Sequence, residues 1–263
     1  MALKHRVGWD PHFPDRSPWF WPLGAAARAF ARHPDWPTRD ELTAMYASLT
    51  AGRGAPPLRF SENVRKVDKR EGGRVQLDRL YDARIARLGE VPTREQDWHD
   101  FFNALCFATF PRAKNALHRR QFAALTKRVD PDAKRLPGTR TKEQDALTLF
   151  DEGGAVVAAD AGTIAELEDT TLPVPAERLN RALADGRARV VPFGHALFEH
   201  LVEGLRCPGG STRMLVIDDV SLPDGALVAE VDARLAELLR DHAQFLAPRE
   251  GGHLRLHELG LGR

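Results

Sequence analysis

The segment DWHDFFNALCFATFPRAK, residues 97–114, constrains the fold of this chain more than any other stretch. When residues 98–110 are placed on a helix at about 100° per residue, apolar side chains cover most of its circumference. A helix that is apolar nearly all round is a buried one, and a membrane span would need about 20 apolar residues. The segment is too short for a span, so it predicts a helix in the core of a globular protein.

Polar side chains interrupt this helix at positions that share a face. His99 and Asn103 are four residues apart, so both are expected to point into the same enclosed space. Burying an imidazole or a carboxamide without a partner costs about 1–3 kcal/mol, so both must have partners. Cys106 lies on the same side and is predicted to be a small buried hydrophobe rather than a nucleophile.

The next segment, PRAKNALHRRQFAALTKR, is predicted to form a second helix with Pro111 at its first position. Lys114 and His118 are again four residues apart. A buried lysine is rarely found without a carboxylate, so an inward-facing Lys114 would need Asp100 or Asp145 as its partner. An outward-facing Lys114 would only be a solvated charge.

The chain as a whole is typical of a globular protein without a membrane segment. Its 263 residues are enough for one large domain or two small ones. A formal charge of +1 argues against a protein whose overall field captures nucleic acid or anionic membrane. The start lacks the apolar core of a secretory signal, and Cys106 and Cys207 form no CxxC pair. We therefore expect a cytoplasmic protein with no membrane partner.

Element signals along the chain predict helices first, then strands alternating with helices. Thr38 and Glu41 have the spacing of a capping box, after a Trp- and Pro-rich opening that is expected to pack onto the body of the protein. ALTLFDEGGAVVAAD is interpreted as a β-hairpin that turns at DEGG. RARVVPF and RMLVIDD resemble strands, whereas PAERLNRALADG (with Pro175 near its start and Gly186 near its end), GHALFEHLVEG and GALVAEVDARLAELLRDHAQFL resemble helices.

This order favours an α+β fold, with a mixed α/β fold as the alternative. The expected architecture is one helix-rich domain over residues 1–263, with a β-hairpin and a small mixed sheet. Within it we distinguish an N-terminal wrap and helix at 1–50, a core motif region at 89–160, and an α/β C-terminal part at 174–263.

Searches for catalytic and metal-binding motifs find none that is local in sequence. The chain has no GxGxxG after a strand, no P-loop and no GxSxG elbow. His195 and His200 are five residues apart, so they do not form the H-x-x-x-H pair of a zinc helix. Asp218 and Asp219 follow a strand and are interpreted as an acidic loop. Whether a metal or another cofactor binds stays open.

Two segments are locally basic, residues 53–74 and residues 127–142. Each is interpreted as a solvated loop or an edge hairpin. Contact with phosphate or nucleic acid is the less favoured interpretation.

Three motifs in order carry a resemblance to a known family: GEVPTREQDWHDFFNALCFATFPRAKNAL, DALTLFDEGG and FGHALFEHL. They resemble the successive motifs of a bacterial family, the domain-of-unknown-function 3025 family, and the resemblance is densest from Gly89 to Gly153. The resemblance implies no activity. It picks out ten positions: Arg94, Trp98, His99, Asp100, Asn103, Lys114, Asp145, Asp151, Glu152 and His195. Such a polar set either fixes a unique core or builds a site.

The favoured hypothesis is an enzyme that uses acid–base or metal-assisted chemistry on a small polar or phosphate-bearing substrate, with hydrolysis preferred because it needs no cofactor motif. His99 would be the general acid or base, Asp100 or Asp145 its orienting carboxylate, and Lys114 or Arg94 an anion clamp. The candidate catalytic residues are His99, Asp100, Asn103, Lys114, Asp145 and His195. The candidate substrate-binding residues are Arg94, Trp98, Arg112, Asp151 and Glu152.

Two alternatives stay open. The first is a non-catalytic binding protein, with nucleic acid bound through the arginine-rich segments. The second is a buried polar network that only rigidifies the fold.

Overall fold

A computed structural model describes residues 7–63, 70–71, 74–129, 134–168, 176–205, 210–248, 252–256 and 259. Its α-helices are α1 (Gly24–Arg28), α2 (Arg39–Thr50), α3 (Tyr81–Ala83), α4 (Trp98–Thr109), α5 (Pro111–Thr126), α6 (Lys142–Gly153), α7 (Ala161–Glu168), α8 (Ala176–Ala184), α9 (His195–Val202) and α10 (Asp224–Arg240). Its strands are β1 (Arg59–Glu62), β2 (Arg70–Glu71), β3 (Arg74–Val75), β4 (Glu90–Thr93), β5 (Ala155–Ala159), β6 (Ala188–Pro192), β7 (Gly210–Val216) and β8 (His253–Leu254). Shorter 3-10 turns span Phe13–Arg16, Pro18–Leu23 and Leu77–Arg79, and a π-helical turn spans Arg84–Leu88.

The strands form a small mixed sheet and two short pairs, which confirms the predicted helix-rich α+β fold class. The larger sheet has the order β6-β5-β7-β8, with β5 antiparallel to β6 and parallel to β7. Every residue of β5 is buried, as expected for a central strand covered on both faces. The short pairs are β1 with β4, which is parallel, and β2 with β3, which is antiparallel.

The hairpin predicted over ALTLFDEGGAVVAAD is wrong. Its first half belongs to α6, which opens with a capping box between Thr141 and Gln144 and ends at Gly153. Ala146, Leu147 and Phe150 are buried, a spacing of one and then three residues that fits a helix face. Only AVVAA is a strand, and its partners are β6 and β7 rather than the preceding apolar run. Asp151 and Glu152 therefore lie in the last turn of a helix, not in a hairpin turn.

The buried helix predicted at residues 98–110 is α4, and its aromatic side chains form much of the core. It begins after Asp97, whose side chain accepts a hydrogen bond from the backbone N–H of Asp100. The Trp- and Pro-rich opening packs onto this helix, as predicted. Trp9 stacks on Trp98 with ring centroids 5.4 Å apart, and Phe13 contacts Trp98 edge-on.

Several boundaries agree with the sequence. The capping box of Thr38 and Glu41 starts α2, and Pro111 is the first residue of α5. The long C-terminal helix α10 ends at Arg240, earlier than its apolar pattern suggests. Arg120 explains this end, because its guanidinium donates to the carbonyl oxygens of Leu239 and Asp241. Pro175 and Cys207, both used in the sequence analysis, lie outside the described residues.

The register of β5 with β6 brings distant parts of the chain together. Ala155 pairs with Pro192, so the end of α6 lies beside the start of α9. The backbone N–H groups of Phe193 and Gly194 both donate to the carbonyl oxygen of Gly154 at 2.9 Å. A Cβ on Gly194 would lie 2.4 Å from the backbone nitrogen of Gly154 and 2.5 Å from the backbone carbonyl oxygen of Glu152. Only glycine permits this approach, which places His195 next to Glu152.

Among the described residues, no helix is both long and apolar enough to cross a membrane.

Candidate functional site

Two imidazoles and a carboxylate from three helices meet at one point. His99 lies in the first turn of α4, Glu152 in the last turn of α6, and His195 at the start of α9. The Nε2 atoms of His99 and His195 are 3.0 Å apart. Oε2 of Glu152 lies 3.6 Å from Nε2 of His195 and 3.9 Å from Nε2 of His99.

These three atoms have the spacing of a metal-ligand set. In a tetrahedral zinc site, bonds of about 2.0–2.1 Å place neighbouring ligand atoms about 3.3 Å apart. The three separations lie around that value, and the donor types, two imidazole nitrogens and one carboxylate oxygen, suit a divalent transition metal. Side-chain exposure rises from 4% at His195 to 28% at His99 and 42% at Glu152, so the group opens to solvent on the Glu152 side.

Each histidine has a carboxylate on its outer side. Nδ1 of His99 lies 2.9 Å from Oε2 of Glu199, one turn into α9. Nδ1 of His195 is buried, has no hydrogen-bond partner among the described residues, and lies 3.9 Å from Oδ2 of Asp151. A carboxylate on the far ring nitrogen is the usual support of a metal-binding histidine.

Burial and charge move the pKa values of the two histidines in opposite directions. Burial opposes the protonation of His99, but the hydrogen bond that His99 donates to Glu199 and the charge of Glu152 outweigh it and raise its pKa. Burial and the charge of Lys114 hold the pKa of His195 well below its usual value. Burial also raises the pKa of Glu152. His195 is therefore a neutral imidazole at neutral pH, the form that binds a metal.

Lys114 anchors a buried network behind His195. Its side chain is fully buried, and its Nζ donates to Oδ1 of Asp151 at 2.5 Å and to Oδ1 of Asn103 at 2.8 Å. Asn103 in turn donates to the hydroxyl of Tyr81 at 2.8 Å. Burial alone would raise the pKa of Asp151, but the charge of Lys114, which also donates a hydrogen bond to it, is the largest of the effects that lower it overall. Asp151 is thus ionised. It is the carboxylate partner of Lys114, so the expectation that Asp100 or Asp145 would be that partner is wrong.

His118 closes the network on its other side. Its Nδ1 lies 2.9 Å from Oδ1 of Asp82, and its ring stacks on Phe107. Its buried Nε2 has no hydrogen-bond partner in the part of the chain that the structure describes, and it lies 3.9 Å from Oδ2 of Asp151. The carboxylate of Asp151, on α6, therefore lies between Lys114 and His118 of α5 and His195 of α9.

Other predicted residues have structural partners of their own. Arg94 forms a two-pronged ion pair with Asp100, which also accepts from the Arg94 backbone N–H. Trp98 is buried, and its indole N–H donates to the carbonyl oxygen of Val7. Burial raises the pKa of the Cys106 thiol to about 12, which agrees with an inert buried cysteine.

Two predicted residues lie away from the group. Asp145 is exposed in the first turn of α6, at the opposite end of the helix from Glu152. Arg112 is exposed, and its Nε donates to the carbonyl oxygen of Arg53. The structure therefore brings together His99, Asn103, Lys114, His195, Asp151 and Glu152 but not Asp145 or Arg112.

The basic segments use much of their described charge internally. Arg53 donates to the carbonyl oxygens of Ala108 and Thr109, and Arg59 pairs with Glu90. Arg128 donates to the carbonyl oxygen of Thr139. Residues 64–69, 72–73 and 130–133 of these segments lie outside the described residues.

Comparison with known families places the chain. Residues 68–256 match the family model described as "Protein of unknown function (DUF3025)", which is more than half of the chain. The chain belongs to the domain-of-unknown-function 3025 family. The matched range includes all ten positions that carried the resemblance. Searches of curated proteins and of solved structures found no match.

For this member of the domain-of-unknown-function 3025 family, three contributors to the site are missing from the candidate residues predicted from the sequence: Glu199, Tyr81 and Asp82. Glu199 lies one turn after His195, so its position on the same helix face was a usable signal. Tyr81 and Asp82 lie in the three-residue helix α3 and carry no local signal. They reach the site only because α3 packs against α5.

Proposed function

We propose that the protein is a metal-dependent hydrolase in which His99, Glu152 and His195 hold one divalent transition metal ion. The observation that carries the proposal is the approach of the two Nε2 atoms to 3.0 Å, with the Glu152 carboxylate beside both. Three protein ligands with solvent access on one side are the arrangement of catalytic rather than structural zinc sites.

The proton positions on the two rings support this proposal. Glu199 accepts from Nδ1 of His99, so Nε2 of a neutral His99 carries a lone pair. A neutral His195 carries only one ring proton. If that proton were on Nε2 and were donated to His99, Nδ1 of His195 would have no proton to point toward the negatively charged carboxylate of Asp151. A cation between the two Nε2 atoms removes this conflict, because Nδ1 of His195 then keeps its proton and points it toward Asp151. An extra proton on His99 has the same effect, so protons and metal compete for this site.

Electrostatics also favour a cation here. The carboxylates of Glu152, Glu199 and Asp151 surround the two imidazoles, and Lys114 contacts Asp151. Because these three carboxylates outnumber this one lysine, the local field attracts a divalent cation and repels an anion. A phosphate-bearing substrate would therefore need the bound ion as its point of attachment.

When bound, the metal would supply a water molecule with a lowered pKa and a Lewis acid for the scissile bond. Glu199 would orient His99 and strengthen it as a ligand through the Nδ1 hydrogen bond. Asp151 would do the same for His195, and Lys114 keeps Asp151 ionised. The exposed face of Glu152 marks the side on which a small polar or phosphate-bearing substrate would enter.

A panel of carboxylic and phosphate esters tests the proposal. The protein is stripped with a chelator, reloaded with Zn²⁺ or Mn²⁺, and assayed beside Glu152→Gln and Glu168→Gln. Glu168 is an exposed glutamate at the end of α7 and serves as the matched control. We expect hydrolysis of at least one ester class that needs the metal, survives in Glu168→Gln and is lost in Glu152→Gln. Metal binding without any turnover would instead make the protein a metal-binding module.

A further inference from the structure

A groove on a different side of α5 from the candidate metal site gathers positive charge from three elements. It lies between α5, the π-helical turn Arg84–Leu88 and the C-terminal end of α10, and encloses about 760 Å³. Lys114 and His118 point from α5 into the candidate metal site. Asn115 and Arg119, each one residue later and thus about 100° further round the helix, line the groove. The groove is therefore separate from the candidate metal site.

The rim of the groove is cationic. Arg87, Arg119 and Arg240 line it, and no aspartate or glutamate does so among the described residues. His242 also lines the groove, and its Nδ1 lies 3.9 Å from Oε1 of Glu143 outside it. Arg119 and Arg240 are exposed, and neither has a carboxylate within ion-pair distance in the described part of the chain. Arg87 pairs with Asp78, but both side chains are more than half exposed, and such pairs contribute little.

Structural roles account for only part of this charge. Arg120 is buried and bonded to Glu143 and to three carbonyl oxygens, so it holds the end of α10 against α5. Arg240 lies in the last turn of α10, where a cation offsets the helix dipole. Arg119 lies in the middle of α5 and has neither role. On a chain with a formal charge of +1, this cluster is a local concentration rather than a general property of the surface.

The floor of the groove is apolar. Leu239 and Ala116 are buried beneath it, and the half-buried ring of Phe122 forms part of its wall. An apolar floor with an aromatic wall accommodates a flat ring, and guanidinium groups at the rim bind phosphate oxygens in pairs. An acidic peptide would match the rim but would gain nothing from the ring-sized floor.

We propose that this groove binds a phosphate ester carried on a flat ring, the chemistry of a nucleotide. The ring lies on the apolar floor, and the phosphate is held by Arg119 and Arg240. The ligand is either a free nucleotide or one unit of a single strand. This proposal does not depend on the candidate metal site.

Fluorescence anisotropy with a labelled oligothymidine, with AMP and ATP as competitors, tests the proposal. The proteins are the wild type, the double variant Arg119→Ala/Arg240→Ala, and Arg32→Ala. Arg32 is an exposed arginine that does not line the groove, and it serves as the matched control. We expect the double variant to lose at least 10-fold in affinity while Arg32→Ala binds like the wild type. Circular dichroism checks that all three proteins are folded.

Salt dependence gives a second readout. Each phosphate contact to a single strand contributes about 0.7 to the slope of log affinity against log salt, so the double variant, which loses the one phosphate held by both arginines, should lose about 0.7 from that slope. If AMP binds as tightly per site as the oligonucleotide does, the ligand is a free nucleotide. If the oligonucleotide binds at least 10-fold more tightly than AMP, the ligand is a single strand. No binding by the wild type at millimolar probe, or an equal loss in Arg32→Ala, would overturn the proposal.

Discussion

Lys114→Met should lower the free energy of unfolding by about 3–5 kcal/mol, the usual effect of removing one partner from a buried ion pair. Methionine has a similar length, so the packing against Phe107 is largely kept, and Nζ of Lys114 lies 4.7 Å from that ring. The loss comes from two oxygen atoms that lose their donor. These are Oδ1 of Asn103, a neutral acceptor, and Oδ1 of Asp151, a charged one.

The magnitude follows from those two atoms. A buried neutral acceptor without a donor costs about 1–3 kcal/mol, and a charged one costs more. His118 and His195 lie 3.9 Å from Oδ2 of Asp151, too far for a direct hydrogen bond, so they replace Lys114 only in part. A loss of about 3–5 kcal/mol is a large fraction of the 5–15 kcal/mol that typically separates folded from unfolded protein.

The pH dependence of this loss has a defined sign. In the wild type, the lowered pKa of Asp151 contributes stability that is present at neutral pH and is lost as the pH falls through the folded-state pKa. Without Lys114, Asp151 avoids the unpaired charge by taking up a proton. The difference between Lys114→Met and the wild type should therefore be largest near pH 7 and smaller near pH 5.

Urea unfolding followed by circular dichroism at the two pH values measures both effects. The double variant Lys114→Met/Asp151→Asn removes both charges and should recover at least half of the loss. Lys142→Met, at the exposed first position of α6, should change stability by less than about 0.5 kcal/mol. A loss below about 1 kcal/mol in Lys114→Met, with no recovery in the double variant, would refute the buried ion pair.

Three further predictions concern the site and its support. Glu199→Gln keeps an acceptor for Nδ1 of His99 but removes the charge, and should weaken metal binding about 10–100-fold in a calorimetric titration, with unchanged unfolding by urea. Gly194→Ala places a Cβ within 2.5 Å of three backbone atoms and should destabilise the fold by about 1–3 kcal/mol or more, whereas Gly225→Ala, with open space around its Cβ, should have no such effect in the same assay. Metal affinity measured from pH 6 to pH 8 should rise with pH, because the raised pKa of His99 lets protons compete up to higher pH, and a flat profile would contradict that competition.

Local patterns in the sequence were sufficient for the elements that carry most of the fold. α4 was predictable because apolar residues surround it, and α10 because its amphipathic pattern is long. The face shared by His99 and Asn103 predicted polar partners for both side chains, and the partners are Glu199 for His99 and Lys114 for Asn103. These features depend on helix periodicity alone.

The hairpin was mispredicted because Gly-Gly between two apolar runs is as typical of a helix end as of a turn. The capping box of Thr141 and Gln144 distinguishes a helix from a hairpin strand here. It lies before ALTLFDEGGAVVAAD, the segment over which the hairpin was predicted. This error also placed Asp151 and Glu152 in a turn, where acidic residues need no further explanation.

The meeting of the three candidate ligands was not predictable from local spacing. It depends on the pairing of Ala155 with Pro192, which joins the end of α6 to the start of α9, and on the packing of α4 against α9. Each contact joins residues that are far apart in the chain. The spacing of apolar residues within one segment cannot predict how that segment pairs with a distant strand.

The metal content of the purified protein tests the central claim most directly. Untagged protein is incubated with Zn²⁺, Mn²⁺ or Fe²⁺, desalted, and analysed by elemental mass spectrometry beside His99→Ala, His195→Ala and His200→Ala. His200 lies on the same helix as His195 but bonds to the carbonyl oxygen of Ala196, so it is the matched control. We predict about one ion per chain in the wild type and in His200→Ala, and loss of the ion in the other two variants. No bound metal in the wild type, or metal that both site variants retain, would contradict a metal centre at His99, Glu152 and His195.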